Sequence, residues 1–158
     1  MASTLTLVFI ALLVLTTLTR LWLGSRQIAH VQEKRAQVPP AFSENISLEA
    51  HQKAADYSAA KTKLGLTEVV VQALLLAVFT IGGGLQWLDN IWQNVLQNHE
   101  IIRGALVICS AMLISAMIDI PFEYYKIFTV DEKFGFNKMT QSMFFSDLVK
   151  HSLVGLAL

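Results

Sequence analysis

Apolar and polar residues fall in long blocks along this chain. Three blocks, residues 5–23, 69–88 and 104–122, are apolar almost throughout. A helix that crosses a bilayer needs roughly 20 such residues at about 1.5 Å rise each. Each block therefore predicts a membrane-spanning helix. A fourth apolar run starts near Leu148 and reaches Leu158, which is too short to cross. The expected fold class is all-α: polytopic transmembrane helices, three full spans plus a truncated fourth. A cytoplasmic helical extension is expected before the second span.

The first block is not read as a cleaved leader. No Lys or Arg precedes it, its apolar run is long, and no small-residue cleavage site follows. Arg20 near its end can reach the interface along its own stem, and Trp22 suits the aromatic belt. Basic residues then orient the helices. Arg26, Lys34, Arg35, Lys53, Lys61 and Lys63 lie between the first two blocks. Lys126, Lys133 and Lys138 follow the third block. The N-terminal tail and the stretch 89–100 carry no Lys or Arg. Basic loops favour the cytoplasmic side, so the first and third loops are expected there, with the N-terminus and second loop outside.

The first loop divides in two. Pro39-Pro40 imposes an extended linker, because proline disfavours helix in the residue before it. Ser47 then opens a helix through about Lys63, capping its free N–H groups, with Glu49 in the first turn. Glu49 and Lys53 have i,i+4 spacing, and the alanines from Ala54 to Ala60 favour helix. This helix should run on into the second span, with Gly65 as its weak point. Gly82-Gly83-Gly84 either lets helices approach closely or loosens a helix end. Pro121 should kink or end the third helix. Tyr124, Tyr125 and Lys126 read as an interface anchor, Gly135 and Asn137 as turn formers, and helix resumes near Thr140.

Composition sharpens this reading. Hydrophobic residues make up 54% of the 158 and charged residues only 15%, against about a quarter charged in soluble domains. Lipid must cover much of the apolar surface. The net charge is zero, which gives a nucleic-acid partner no electrostatic support. The single cysteine, Cys109, is expected to be a buried, inert thiol.

Candidate chemistry is sparse. His99-Glu100-Ile101-Ile102-Arg103 misses the zincin pattern HExxH by its last residue. Two histidines at i and i+4 are needed to place both imidazoles on one metal, and Arg103 would repel a cation. His30, His51 and His151 stand alone. Asp119 is an ionisable residue inside the third block and hence a functional candidate. The plainer reading, which we favour, lets it reach water or pair with Lys126 near the span end. Glu68 and Gln72 pose the same question at the start of the second span.

Two segments carry a family resemblance. One is PPAFSENISLEAHQKAADYSAAKTK at 39–63, the other VDEKFGFNKMT at 130–140 with Phe144, Phe145, Asp147 and Lys150 after it. Together they resemble the N-terminal membrane domain of the CAAX prenyl protease 1 family, integral-membrane zinc metalloendopeptidases, over essentially the whole chain. The resemblance implies a seven-helix barrel around a large chamber. It also implies an HExxH helix and a downstream glutamate, both C-terminal to the matched region. The implied reaction cuts a peptide bond near the C-terminus of a prenylated substrate, or proteolyses membrane proteins in bacteria. This chain has no HExxH and none of the zinc ligands, so no catalytic or metal residue carries over.

What carries over is the signature loop, Glu132, Lys133, Phe134, Gly135, Phe136, Asn137 and Lys138 with Thr140. Its expected role is structural, bracing the membrane helices against the protease domain. Residues 1–158 are expected to form one membrane-helix domain, a fragment without the catalytic domain and inactive alone. No cofactor is expected in this chain, zinc being expected in the complete family protein. The expected partners are the lipid bilayer and a C-terminal protease domain, and the expected location is a bacterial inner membrane. The alternative is a small non-enzymatic integral membrane protein that acts through helix packing.

Overall fold

The structure is a computed structural model that describes residues 2–42, 44–97 and 99–157. Helix α1 spans Ala2–Lys34, longer than its apolar block. Nothing between Gly24 and Lys34 breaks a helix, so the polar stretch taken above as the start of the first loop stays helical. Gly24 faces the Leu66 side chain, which a Cβ there would strike. Lys34 in the last turn suits the negative end of the helix dipole.

The extended linker ends at Pro39, and Pro40, expected to belong to it, opens a short 3₁₀ turn, Pro40–Phe42. Helix α2 covers Leu48–Thr80. Ser47 caps it as its sequence position predicts: the Ala50 N–H donates to Ser47 Oγ at 3.2 Å. The helix runs unbroken through Gly65. It stops at Thr80, eight residues before the expected end at Leu88. There the N–H groups of Ile81 and Gly82 both donate to the Ala77 carbonyl, at 2.8 and 2.9 Å. Gly83 takes a left-handed φ of 76°, which only glycine adopts without strain. The triple glycine is thus a helix end, and the turn itself is tight: a Cβ on Gly84 would lie 3.0 Å from the Cα of Phe79, five residues back.

Helix α3, Gly84–Val95, occupies most of what the charge pattern marks as an external loop. Helix α4, Glu100–Tyr125, contains Pro121 without ending there. It passes directly into a π-helical turn, Lys126–Asp131. Helix α5, Gln141–Ala157, opens where the Met143 N–H donates to Thr140 Oγ1 at 3.3 Å. Leu158, where the fourth apolar run ends, lies outside the described residues, as do Ser43 and Asn98.

Three helical stretches are long and apolar enough to cross a membrane: Thr4–Lys34, Leu48–Thr80 and Glu100–Asp131. The protein is an integral, multi-pass membrane protein. At about 1.5 Å per residue the 33 residues of α2 extend well beyond a hydrocarbon core of about 30 Å. The first half of α2, with Glu49, Lys53, Asp56 and Lys61, is its aqueous part. Helices α1 and α2 pair antiparallel: Gly24 meets Leu66, and Leu5 and Phe9 lie near Thr80 and Ile81.

Candidate functional site

The signature loop is seated on the aqueous half of α2. The Tyr57 hydroxyl donates to Asp131 Oδ1 at 2.9 Å, joining α2 to the π turn. The Tyr57 ring meets Phe134 edge-on at 5.5 Å between centroids and Phe136 at 4.7 Å. Lys53 Nζ sits 5.5 Å from the Phe136 centroid. It makes that contact in place of the expected ion pair with Glu49, which is not found among the described residues.

Gly135, at φ 71°, lets the chain reverse between the two phenylalanines. Asn137 works through its side chain. Its Nδ2 donates to Glu132 Oε2 at 2.8 Å, and its Oδ1 accepts from the Met139 N–H at 2.7 Å. Lys133 Nζ lies 5.7 Å from the ring of its neighbour Phe134. Below the loop, Phe144 packs on Tyr124 and Phe128, and Gln141 Nε2 donates to the Tyr124 hydroxyl at 3.1 Å. Tyr124 is therefore a packing residue.

A second clasp ties α1 to α2 nearby. Arg35 donates to both carboxylate oxygens of Asp56, from Nε at 2.7 Å and Nη2 at 2.8 Å. Such two-pronged pairs are among the strongest polar contacts. Accepting these bonds holds the Asp56 carboxyl below the usual carboxylate range, against an opposing push from burial. The same bonds raise Arg35. The hydrogen bond to Asp131 raises the Tyr57 phenol above its ordinary value. His51 Nε2 also lies 3.0 Å from the Lys34 carbonyl oxygen. Sequence reasoning missed Arg35, Asp56 and Tyr57 as interacting residues. The available signal was that Asp56 and Tyr57 fall inside the segment that carries the resemblance.

Within the membrane, Asp119 does not pair with Lys126. Its Oδ1 accepts from Gln72 Nε2, so two residues raised separately from the sequence meet across α2 and α4. Gln72, Glu68 and Arg20 line a cavity of about 540 Å³ whose walls include Leu13, Leu75 and Phe79. Cys109 is exposed on α4 and not buried, because the apolar run around it is not packed into a core of this chain. Arg103 pairs with Asp89 on α3 at 3.0 Å. No three His, Cys, Asp or Glu side chains converge among the described residues, so the donor set for a catalytic zinc does not fit here.

The family profile for the N-terminal region of CAAX prenyl proteases, a unit of five membrane helices, matches residues 27–158. The chain belongs to this family. It is 28% identical over 141 residues to CAAX prenyl protease 1 of Saccharomyces cerevisiae, covering 82% of this chain and 30% of that protein. To the probable CAAX prenyl protease 1 of Schizosaccharomyces pombe it is 31% identical over 151 residues, covering 85% and 31%. The crystal structure of S. mikatae Ste24p matches with a TM-score of 0.78 at 24% identity, over 93% of this chain and 35% of that one. At that identity the likeness establishes the fold. The chain spans about a third of the length of these CAAX prenyl protease relatives. They are eukaryotic, and lend nothing to the expectation of a bacterial inner membrane. Three helical stretches of this chain are long and apolar enough to cross a membrane, and α5 has 17 residues.

Proposed function

We propose that residues 1–158 act as the N-terminal membrane domain of a zinc metalloendopeptidase of the CAAX prenyl protease type. The observation that carries this reading is the family match over residues 27–158. In the complete protein the domain holds a protease domain against the bilayer, for cleavage of prenylated CAAX-type or membrane proteins. Its own residues supply membrane anchorage and packing. The signature loop braces α2 and α4 against the protease domain, a role supported by the seat of Phe134 and Phe136 on Tyr57. The zinc ligands belong to the remainder of the complete protein, so this chain alone is inactive. The basic first and third loops face the cytoplasm, on the distribution of Lys and Arg.

Two measurements test the reading. The purified chain in detergent is assayed for zinc and for chelator-sensitive cleavage of a farnesylated CaaX peptide. Neither unit zinc nor cleavage is expected, and finding both overturns the proposal. A chimera then joins residues 1–158 to the matching remainder of the S. cerevisiae protein. Cleavage by the folded, zinc-loaded chimera is expected, and its failure would count equally against the reading.

A further inference from the structure

We propose that α3 is an interfacial helix held against the lipid bilayer, with Trp87, Ile91 and Val95 seated at the boundary between acyl chains and headgroups. Helix α3 presents three stripes. One is docked: Leu88 is buried, Asp89 pairs with Arg103 at 3.0 Å, and Trp92 Nε1 donates to Ser110 Oγ at 3.0 Å. A second stripe is made of neutral amides, Gln86, Asn90, Gln93 and Asn94, all exposed. Gln86 and Asn90 are joined at 3.2 Å. The third stripe is apolar and unpartnered: Trp87, Ile91 and Val95 are 62, 40 and 67% exposed. Residues four apart share one helix face, so these three form a continuous line.

Depth follows from the docked stripe. An ion pair is costly in hydrocarbon, so Asp89 and Arg103 mark the membrane boundary at the Glu100 end of α4. Ser110 lies two turns further into the apolar run, so Trp92 reaches inward from that boundary. The occupant of the apolar stripe follows from continuity. Ile81 at the end of α2 and Ile101 and Ile102 at the start of α4 are exposed apolar residues at the same end of the bundle. Helices α2 and α4 are long and apolar enough to cross a bilayer, and the stripe extends their exposed apolar surface. Tryptophan is favoured at this depth, because its ring is apolar and its N–H polar. Amphipathic helices of this kind lie in the interface plane, commonly with Lys or Arg on the polar face. Helix α3 carries neither, so its seat needs zwitterionic headgroups only and no anionic lipid.

The test is a spin-label scan of residues 86–95 in the full chain with Cys109→Ala, reconstituted in phosphatidylcholine vesicles. Collision with oxygen, which concentrates in lipid, and with a water-soluble nickel chelate is measured at each position. Oxygen contact should peak at 87, 91 and 95, and nickel contact at 86, 90 and 93. The two profiles should follow the helical repeat of about 3.6 residues, out of phase with each other. The exposed positions decide the outcome, since labels there disturb no packing. Nickel maxima at 87, 91 and 95 would place the stripe in water and overturn the proposal. Low contact with both reagents there would mean that protein, for example a second copy, covers it, and would also overturn it. Replacing half the lipid with anionic phosphatidylglycerol should leave the pattern unchanged, and a pattern that requires the anionic lipid would refute the neutral seat.

Discussion

The two ends of α4 are held in opposite ways. At the signature-loop end a small core forms: Ala55, Val130, Phe134 and Phe144 are buried. At the Glu100 end Leu88 is the one buried residue among those described. Between the ends, no described residue of the apolar stretches 5–23, 69–80 and 104–122 is buried in the chain. Lipid tails are as apolar as leucine, so nothing drives these stretches together by hydrophobic burial. Packing specificity therefore gathers where water is present, around aromatic rings, a two-pronged ion pair and a glycine turn. In the bilayer it thins to single polar bridges such as Gln72 to Asp119.

The largest test of this contrast is Phe134→Ala. Truncating a buried phenylalanine costs about 3 kcal/mol or more. Leu113→Ala, on a residue 64% exposed from the chain, should stay within about 0.5 kcal/mol. Thermal unfolding in one detergent compares the two, and equal losses would break the contrast.

Next comes Gly135→Ala. The nearest atom to an added Cβ is Lys53 Nζ at 3.6 Å, so there is room, and the cost is backbone strain at φ 71°. A left-handed conformation costs an L-residue roughly 1–2 kcal/mol. Folded yield and melting temperature should fall. Should the chimera be active, its turnover per folded molecule should fall less than its yield, as a bracing loop requires.

Gln72→Leu probes the membrane side. Hydrogen bonds between membrane helices average about 0.6 kcal/mol, so this loss should be smaller than that at Gly135. Cysteine pairs across α2 and α4, in the Cys109→Ala background, would report it as a modest drop in crosslinking. A loss as large as that of Phe134→Ala would show that the bilayer bridge, not the aqueous core, sets the packing.

The smallest effect is the pH dependence of the Arg35–Asp56 clasp. Asp56 has a folded pKa below its unfolded value of about 3.9. Its contribution is therefore complete above the unfolded value and is lost as pH falls through the lowered folded one. Melting temperature followed from about pH 6 to about pH 3 should drop slightly more in the native chain than in Arg35→Gln. Identical profiles would show that the clasp adds nothing measurable.

Much of this was legible beforehand. The three crossings, the cap at Ser47, the continuity of α2 and the turn at Gly135 all follow from block length, capping chemistry and φ preference. Helix α3 was hidden because its amide stripe and charge-poor composition read as an external loop. Its apolar residues return every four positions within a segment too short to stand out beside membrane spans. The family followed from EKFGFNKMT and its upstream partner segment, and the profile over residues 27–158 bears it out.

By itself, then, the chain determined that three helices are long and apolar enough to cross a membrane and which family they belong to, because hydrocarbon length and apolar composition are local properties. Only the tertiary structure decided that Tyr57 meets Asp131 across 74 positions, that Arg35 finds Asp56, and that Gln72 and not Lys126 answers Asp119. Those pairings depend on how the helices are turned about their axes. In a bilayer, uniform apolar surface leaves that rotation undetermined, and sparse polar side chains settle it once they are brought face to face.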